Sequence, residues 1–565
     1  MTAPAHTLAL ATPHTAATDA GRSAFADGGT AVDAALAACA TLAVVYPHMC
    51  SLGGDAIALV HAPDGRVTVV NGSGAAPAAL DAARVRAALE RDPAPVTRSG
   101  MPLRGPHTVT VPGVLSAWET LRGLGGRLDL ARLLRPAIRY ANDGCGVSRS
   151  LAETLAWESD LFAADPGLRD VFFRDGRPLG EDDAFRQPAL ATSLETVARH
   201  GVEAFYGGTL GARYVTGLRA LGSEMTVDDL AGHATEVGAP LGRVAFGHEL
   251  LTAPPNSQGY VLLQLLAGTA WIPAGAGPPD GAAAPAPSPA PPDPLGPSAG
   301  ALARLFRMAG DDRDRYLCDP RAHDVPVNEL LGAEHMSSAA GRSARDEGMR
   351  PGPGSPPRTG SGDLLQRGGD PAGGDTIACV AADSDGWAVS IIQSVYQGFG
   401  AAILEPTTGI VAHDRGACFS LDPASPNLVA GGKRPLHTLM PVMVRRRGRL
   451  TIVAGTMGGE AQPQIHAQIL CRLLGRSGAA TTRPGGLAAA VSAPRWIYDE
   501  GELLAEGRVP ESCLAVLRAT AMPVGLLEDF DETVGHAQYV LIDEDGPVEA
   551  ASDPRADGSG AVDTV

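Results

Sequence analysis

The sequence GGDTIACVAAD, residues 373–383, places Thr376 at the head of an alternating, strand-like run, directly after two glycines and Asp375. A turn at residues 383–386 follows, and a second strand-like run begins at Trp387. A threonine at the start of a central strand suits an enzyme that cleaves its own backbone there, because the new N-terminal residue supplies a hydroxyl nucleophile and an α-amine as general base. An α-amine titrates near pH ~8 and a lysine near ~10.4, so only the α-amine is partly unprotonated at neutral pH. Taken alone, the stretch also fits an ordinary threonine at a strand start.

Length and charge limit the classes of function that the chain can have. A chain of 565 residues is long enough for about three or four domains of average size, although large single domains also occur. The net charge of −18 disfavours binding to nucleic-acid phosphates or to an anionic membrane surface, since these carry charge of the same sign. We therefore expect a small-molecule or peptide-like substrate, with no nucleic-acid partner and no membrane partner.

The first residues and the cysteines bear on the cellular compartment. Residues 1–8 contain neither a basic segment nor a long apolar segment, so no secretory signal is expected. The longest apolar run, residues 34–46, is shorter than the ~20 residues that a membrane-spanning helix needs. The eight cysteines include no C-x-x-C pair, and the histidines lack the spacing of metal ligands. The sequence therefore predicts a cytoplasmic protein with no structural metal and no cofactor.

Local patterns predict several elements along the chain. An alanine-rich helix should begin after Thr30, which serves as its N-cap, and its lack of a polar face predicts burial. The runs 56–61 and 67–70, joined by a Pro-Asp-Gly turn, predict a β-hairpin. Residues 273–297 are rich in proline, alanine and glycine and predict a disordered insertion, whereas residues 339–372 predict a flexible segment just before Thr376.

A pair of glycines, Gly458 and Gly459, stands between a predicted strand (residues 450–454) and a predicted helix (about residues 460–475). Glycines at such a junction leave backbone N–H groups directed at the helix N-terminus, where they can bind a developing oxyanion. A simple turn explains the same two residues. The pair is therefore a candidate oxyanion hole, and evidence for this assignment has to come from other parts of the sequence.

Six motifs follow one another along the chain, and they are Gly28–Ala35, Pro47, Gly53–Asp55, Val111–Gly113, Ala253–Gly259 and the block Asp375–Gln468. In this order they resemble the γ-glutamyltranspeptidase family of N-terminal-nucleophile hydrolases. The resemblance covers nearly all of residues 7–550 outside the two low-complexity segments. It implies an α/β (α+β) fold, a four-layer αββα sandwich, built as one globular unit from two chains of a single precursor.

The resemblance also implies roles for individual residues. Thr376 matches the cleavage site and catalytic threonine, so cleavage after Asp375 would give a large chain, 1–375, and a small chain, 376–565. Ser394 matches a threonine that hydrogen-bonds the nucleophile, and a serine hydroxyl can do the same. Gly458 and Gly459 match the pair whose amides form the oxyanion hole. Whether the two-chain unit further forms a homodimer is left open.

The chain departs from the family pattern where the α-carboxylate and α-amine of a γ-glutamyl group are bound. Ser73 stands in place of an arginine, Cys418 in place of an acid, and His437-Thr438 in place of a Ser-Ser pair. Losing both charged groups removes the charge-assisted hydrogen bonds that select a zwitterion. At the remaining positions, the residue types Tyr396, Arg415 and His437 resemble those of the family branch that contains oxamate amidohydrolases and related acylases.

These matches give the candidate substrate-binding residues, which are Ser73, Tyr396, Arg415, His437 and Thr438. Arg415 is the residue that offers a bidentate grip on a substrate carboxylate, and the alternative for it is a surface or salt-bridged arginine.

Three functions are consistent with the sequence alone. The main hypothesis is an amide hydrolase that matures by self-cleavage and forms an acyl-enzyme on Thr376. The first alternative is a true γ-glutamyl hydrolase or transpeptidase that acts on glutathione-like donors. The second is an unprocessed family member without catalytic activity, which serves as a binding protein.

Overall fold

The computed structural model describes residues 6–272, 288, 290–337, 375–474, 486–543 and 547–564. Most of the predicted insertion 273–297 and all of the predicted flexible segment 339–372 lie outside these residues. The last part of the insertion, residues 290–297, is described, and the Trp496 indole donates a hydrogen bond to the Pro294 carbonyl at 3.0 Å. That part of the segment is therefore packed against the protein.

The described strands are numbered in chain order. They are β1 (Thr7–Thr12), β2 (Asp55–His61), β3 (Val67–Asn71), β4 (Cys145–Gly146), β5 (Phe173–Arg174), β6 (Arg177–Pro178), β7 (Ala184–Phe185), β8 (Glu236–Gly238), β9 (Leu241–Ala245), β10 (His248–Thr252), β11 (Asp375–Asp383), β12 (Ala388–Tyr396), β13 (Leu404–Glu405), β14 (Ile410–Val411), β15 (Val442–Arg446), β16 (Arg449–Thr456), β17 (Trp496–Asp499), β18 (Glu502–Glu506), β19 (Val524–Leu527), β20 (Ala537–Ile542), β21 (Pro547–Ser552) and β22 (Ser559–Thr564).

The described α-helices are numbered in the same way. They are α1 (Thr15–Ala26), α2 (Ala31–Val45), α3 (Ala82–Arg91), α4 (Val114–Gly125), α5 (Leu130–Asp143), α6 (Arg149–Trp157), α7 (Ser159–Ala164), α8 (Pro166–Phe172), α9 (Pro188–His200), α10 (Glu203–Tyr206), α11 (Thr209–Ala220), α12 (Val227–Ala231), α13 (Gly259–Thr269), α14 (Ala299–Tyr316), α15 (Val327–Leu330), α16 (Gln462–Leu474), α17 (Gly486–Ser492) and α18 (Glu511–Arg518). Within the described residues, no helix is long and apolar enough to cross a bilayer.

Two large antiparallel sheets form the centre of the molecule. The first has the strand order β22-β1-β11-β12-β2-β3-β8, and the second has the order β21-β20-β16-β15-β10-β9. Strand β11, which carries Thr376 near its start, is paired on both sides within the first sheet. Its backbone hydrogen bonds to two neighbours fix the register in which Thr376 meets the adjacent strands.

Three hydrophobic clusters account for the packing of the sheets and helices. One contains side chains from both sheets, including Val380 and Ile392 of the first and Met443 and Val453 of the second. A second joins the first sheet to helices that include α1, α2, α4 and α5, and a third joins the second sheet to helices that include α13, α14 and α16. The fold is therefore a mixed helix-and-sheet arrangement whose sheets share a core.

Helix α2 shows how the local sequence produces an element of this core. Thr30 caps it: the Thr30 hydroxyl oxygen accepts hydrogen bonds from the amides of Val32 and Asp33, and the Asp33 carboxylate accepts one from the Thr30 amide. Such a cap is worth about 1 kcal/mol. Every residue from Ala31 to Val45 is buried, as the absence of a polar face predicts. The predicted hairpin is also present, as β2 and β3.

Candidate active site

Three polar residues form one row across adjacent strands of the first sheet. Thr376 of β11 is the cross-strand partner of Ser394 of β12, and Ser394 is in turn the partner of Asp55 of β2. Directly opposed residues on neighbouring strands point to the same face of a sheet. The three side chains are therefore on the same side of the sheet, and all three are buried.

A chain of hydroxyl groups links Thr376 to the peptide bond that precedes it. The Thr376 hydroxyl donates to Ser394 Oγ at 3.0 Å, and the Ser394 hydroxyl donates to the carbonyl oxygen of Asp375 at 2.5 Å. The Tyr396 amide donates to Ser394 Oγ at 2.7 Å. Because a serine hydroxyl has one donor and two acceptor positions, Ser394 uses its full hydrogen-bonding capacity.

The glycines before Asp55 let two strands approach each other closely. A Cβ atom at Gly54 would fall below 3.0 Å from the carbonyl oxygen of Ser394, and one at Gly53 would fall below 3.0 Å from the carbonyl oxygen of Val411. Distances this short are not found for real Cβ atoms. Residue 54 therefore has to be glycine if β12 is to bring Ser394 to Asp55, and residue 53 has to be glycine for β14 to pack against the same segment.

Gly458 and Gly459 follow the end of β16 in a backbone conformation that favours glycine, with φ angles of 132° and 48°. The Ala461 amide donates to the Gly458 carbonyl, and the Gln258 side-chain amide donates to the Gly459 carbonyl, both at 2.8 Å. Among the residues that the structure describes, neither glycine N–H has a hydrogen-bond acceptor. The two amides are thus free to bind an oxyanion at the start of a helical turn.

Strand β16 brings these glycines close to the nucleophile strand. A Cβ atom at Gly455 would fall 2.8 Å from the Cβ of Ala378, so β16 and β11 are in close contact across the core. Ala378 is two residues from Thr376, and Gly455 is three residues from Gly458. The candidate oxyanion amides and the candidate nucleophile are therefore on elements that pack directly against each other.

Arg415 is almost completely buried, with 1% of its surface exposed. Its Nη1 donates to Thr438 Oγ1 at 3.0 Å, and its guanidinium carbon is 4.3 Å from the centre of the Tyr396 ring. Its Nε and Nη2 groups are buried without a hydrogen-bond partner, and in the described part of the chain no carboxylate forms an ion pair with it. The alternative of a surface or salt-bridged arginine is therefore wrong for the described residues.

Two neighbours of Arg415 carry weak acids that stay protonated at neutral pH. Burial raises the pKa of the Cys418 thiol. The adjacent Cys418 sulfur and burial raise the pKa of the Tyr396 hydroxyl well above its ordinary value. Neither group therefore supplies a negative charge to balance the guanidinium. A buried cation with two unused donors favours an anionic ligand, because an unpaired buried charge is costly.

His437 and Thr438 are also buried, and both are held by the protein itself. His437 Nε2 is 3.1 Å from a carboxylate oxygen of Asp55, and its Nδ1 accepts a hydrogen bond from the Leu439 amide at 3.3 Å. Burial lowers the pKa of His437 to about 3, with a further contribution from the Arg415 charge, so the ring is neutral. The Thr438 carbonyl accepts a hydrogen bond from the Gln258 side chain at 2.8 Å.

Asp55 lies where several loops meet, and sequence analysis assigned it no role. One carboxylate oxygen accepts hydrogen bonds from the amides of Gly74 and Gly113, at 3.2 Å and 3.3 Å. The other is near His437 and His413. Burial alone would raise the pKa of Asp55, but the nearby His413, the hydrogen bond from His437 and the charge of Arg415 outweigh it and bring the pKa to about 2. The signal that could have identified Asp55 was an acid at the head of an otherwise apolar strand.

Ser73 is the predicted binding residue whose side chain is fully used in other contacts. Its hydroxyl donates to Asn71 Oδ1 at 2.7 Å and is 3.3 Å from Asn256 Oδ1, and the Asn256 amide donates back to it at 3.2 Å. These bonds join the loop after β3 to the loop before α13. The structure thus places the Ser73 hydroxyl in a buried polar network with Asn71 and Asn256.

Among the described residues, no group of three or more histidine, cysteine, aspartate and glutamate side chains could hold a metal ion. All eight cysteines are free thiols. The site's chemistry therefore has to be considered with hydroxyls, backbone amides, one arginine and the Asp55–His437 pair.

Comparisons with known proteins agree with the motifs. The family model described as gamma-glutamyltranspeptidase matches residues 17–563. The chain is 35% identical over 568 residues to the oxamate amidohydrolase proenzyme of Klebsiella pneumoniae, covering 98% of each chain. It is 34% identical over 564 residues to the glutathione hydrolase-like YwrD proenzyme of Bacillus subtilis, covering 97% of each. The crystal structure of cephalosporin acylase from Bacillus halodurans superposes with a TM-score of 0.82 at 28% identity, covering 99% of this chain and 96% of that one. The chain therefore belongs to the gamma-glutamyltranspeptidase family and is an amidohydrolase of that family.

Proposed function

We propose that the protein is a self-processing amide hydrolase in which Thr376 is the nucleophile of both self-cleavage and substrate turnover. The observation that carries the proposal is the hydroxyl chain from Thr376 through Ser394 to the Asp375 carbonyl, with distances of 3.0 Å and 2.5 Å. This chain joins a potential nucleophile to the carbonyl group that it would attack. The proenzyme names of the relatives from Klebsiella and Bacillus support processing of a single precursor.

In the proposed self-cleavage, Thr376 Oγ attacks the carbonyl carbon of Asp375, which Ser394 polarises through its hydrogen bond to the carbonyl oxygen. The hydroxyl proton of Thr376 passes by way of Ser394 to the departing amide nitrogen. The C–N bond breaks, and an ester joins Asp375 to Thr376 Oγ. Water then hydrolyses the ester, which leaves a carboxylate on Asp375 and a free α-amine and hydroxyl on Thr376.

In the proposed turnover, the freed α-amine of Thr376 acts as general base for its own hydroxyl. The alkoxide attacks the amide carbonyl of the substrate, and the amides of Gly458 and Gly459 stabilise the oxyanion. The C–N bond breaks with transfer of the proton to the leaving amine, and an acyl ester remains on Thr376. Water attacks this ester and regenerates the enzyme.

The acyl group that suits the site carries a carboxylate. Arg415 offers Nε and Nη2, two N–H groups that have no partner in the described part of the chain and that match the two oxygens of a carboxylate. Cys418 offers no negative charge for an α-amine, because burial raises the pKa of its thiol. We therefore place monoamides of small dicarboxylic acids first among candidate substrates, with oxamate, the substrate that names the Klebsiella relative, as the simplest example.

Hydrolysis of γ-glutamyl compounds is the second candidate function. The observation that favours it is the name of the Bacillus subtilis relative, a glutathione hydrolase-like proenzyme at 34% identity. It would require another group to bind the α-amine, because Cys418, which stands in place of an acid, is uncharged.

The proposal extends to the whole molecule. The sharing of one core between two sheets, with helices packed on each of them, supports the four-layer αββα arrangement. In the mature protein, chains 1–375 and 376–565 would form one unit, and this unit would be cytoplasmic.

The test is to purify the protein, analyse it by denaturing gel and sequence the N-terminus of the smaller fragment. We expect two fragments, the smaller of which begins Thr-Ile-Ala-Cys, and a single band for Thr376→Ala. The processed protein is then assayed with oxamate, succinamate and γ-glutamyl anilide. A single band for the wild-type protein, together with no amide hydrolysis, would instead favour an unprocessed binding protein.

A further inference from the structure

Asp55 connects the nucleophile row to the loops around Arg415. Its Oδ1 accepts hydrogen bonds from the amides of Gly74 and Gly113, and its Oδ2 is 3.1 Å from His437 Nε2. Its backbone is paired with Ser394, the residue that contacts Thr376. A fully buried carboxylate with three such partners holds the strand and the loops in one arrangement.

The partners of Asp55 determine the tautomer of His437. Both carboxylate oxygens of an ionised aspartate can only accept hydrogen bonds, so His437 Nε2 has to carry the hydrogen. Nδ1 is then unprotonated, and it can accept the bond from the Leu439 amide at 3.3 Å. On the other side of the carboxylate, His413 Nε2 is 2.8 Å from the Thr110 carbonyl, so this ring directs its hydrogen away from Asp55.

His437 leads directly to the group that holds Arg415. The next residue, Thr438, accepts the hydrogen bond from Arg415 Nη1 at 3.0 Å. The Tyr396 ring also contacts the guanidinium, with its centre 4.3 Å from the guanidinium carbon. Nη1 also donates to Cys418 Sγ at 3.6 Å, and among the described residues Nε and Nη2 are the groups of the guanidinium left without a partner. The position of the His437–Thr438 segment therefore sets one of the contacts that leave Nε and Nη2 of Arg415 available.

We propose that Asp55 is a positioning residue for acyl-group selection, which acts through His437 and Thr438 to hold Arg415 towards the substrate carboxylate. The inference rests on the proposed function above. Asparagine cannot replace Asp55 in this role: if its oxygen keeps the bonds to Gly74 and Gly113, its NH₂ group faces the N–H of His437. The ring would then have to change tautomer and lose the bond from Leu439, or move.

The experiment compares wild-type, Asp55→Asn and Arg415→Met proteins, each processed. Hydrolysis is measured for oxamate and for pyruvamide, in which a methyl ketone replaces the carboxylate, and oxalate binding is measured by the shift in melting temperature. We expect Asp55→Asn to lower the oxamate-to-pyruvamide ratio of kcat/KM by about 10-fold or more, chiefly through KM for oxamate, and to weaken oxalate binding by a similar factor. In the Arg415→Met background, Asp55→Asn should change the ratio no further.

A matched control separates this effect from general damage to the fold. Asp33 is equally buried and accepts backbone hydrogen bonds at the start of α2, so Asp33→Asn should cost stability and leave the ratio unchanged. If Asp55→Asn does not fold, His437→Phe breaks the same link from the other side and should lower the ratio in the same way.

Equal losses for both substrates in Asp55→Asn, or unchanged oxalate binding, would overturn the inference while the wild-type activity stands. A wild-type protein that neither hydrolyses oxamate nor binds oxalate would instead contradict the proposed function itself. The two failures are therefore distinguishable.

Discussion

Ser394 is the residue on which the proposed chemistry depends most directly after Thr376. Ser394→Ala removes the group that links Thr376 Oγ to the Asp375 carbonyl. We expect self-cleavage to slow and kcat to fall by about 10- to 100-fold, or about 1.4 to 2.7 kcal/mol of barrier, and Ser394→Thr to restore most of the loss. Gel kinetics of processing and steady-state rates measure both effects.

The control for Ser394 is on the same strand. Ser390→Ala removes a buried hydroxyl that donates to the Ala454 carbonyl at 2.8 Å, so it should lower stability with no change in kcat. Unchanged kcat in processed Ser394→Ala would rule out the proposed role of Ser394.

Arg415 is the residue that the proposal makes responsible for carboxylate binding. Arg415→Lys keeps the charge but loses the planar fork, because lysine cannot offer two parallel N–H groups. We expect KM for oxamate to rise by about 10-fold or more, which corresponds to at least about 1.4 kcal/mol. Initial rates at varied oxamate concentration provide the measurement.

Arg434 supplies the matched control for that change. It is nearly as buried as Arg415 but is paired with Glu236 at 2.7 Å, so Arg434→Lys should leave KM unchanged. Hydrolysis of glutathione that is efficient and insensitive to Arg415→Lys would restore the γ-glutamyl alternative.

At the scale of elements, the close approach of β2 and β12 controls where Ser394 lies. Gly54→Ala would place a Cβ atom against the Ser394 carbonyl, so the strand would have to shift. We expect a loss of about 1 to 3 kcal/mol of stability and impaired self-cleavage, as judged by urea unfolding and by gel. Gly65→Ala, in the open turn of the β2–β3 hairpin, should cost about 1 kcal/mol through backbone strain alone and leave cleavage intact. Normal processing of Gly54→Ala would contradict this account of the strand pair.

At the scale of the whole molecule, buried histidines make stability depend on pH. Burial lowers the pKa of His466 to about 3, whereas its unfolded value is near ~6.5. The folded state keeps this ring neutral, so its contribution to stability is complete above pH ~6.5 and is lost as the pH falls towards 3. Between the folded and the unfolded pKa, each such group makes the free energy of unfolding fall by about 1.4 kcal/mol for each pH unit of acidification.

His466→Gln isolates this contribution, because glutamine can still accept the hydrogen bond from the Tyr539 hydroxyl, which is 2.6 Å from the ring. We expect the free energy of unfolding to fall less steeply between pH 6 and pH 4 in the variant, by about 1.4 kcal/mol per pH unit. Urea unfolding at a series of pH values measures the slope. An unchanged slope would mean that His466 is not kept neutral by the fold.

Features that depend on near neighbours in the chain were accessible from the sequence alone. The capped and fully buried helix α2, the hairpin of β2 and β3, and the strand that carries Thr376 near its start were all predicted correctly. So was the strand-to-helix junction that carries Gly458 and Gly459. Periodicity, capping and turn residues act over a few residues, and these elements therefore follow from local patterns.

The contents of the candidate site depended on contacts between residues far apart in sequence. Asp55 contacts Ser394 because β2 pairs with β12. It contacts His437 because the loop that carries this histidine, about 380 residues later in the chain, packs against β2. Within the described residues, Arg415 has two free N–H groups because packing buries it without an ion-paired acid. Ser73 is held by asparagines because two distant loops meet there. Cross-strand register and burial are properties of the assembled tertiary structure, so only that structure decided which side chains are free to bind a substrate.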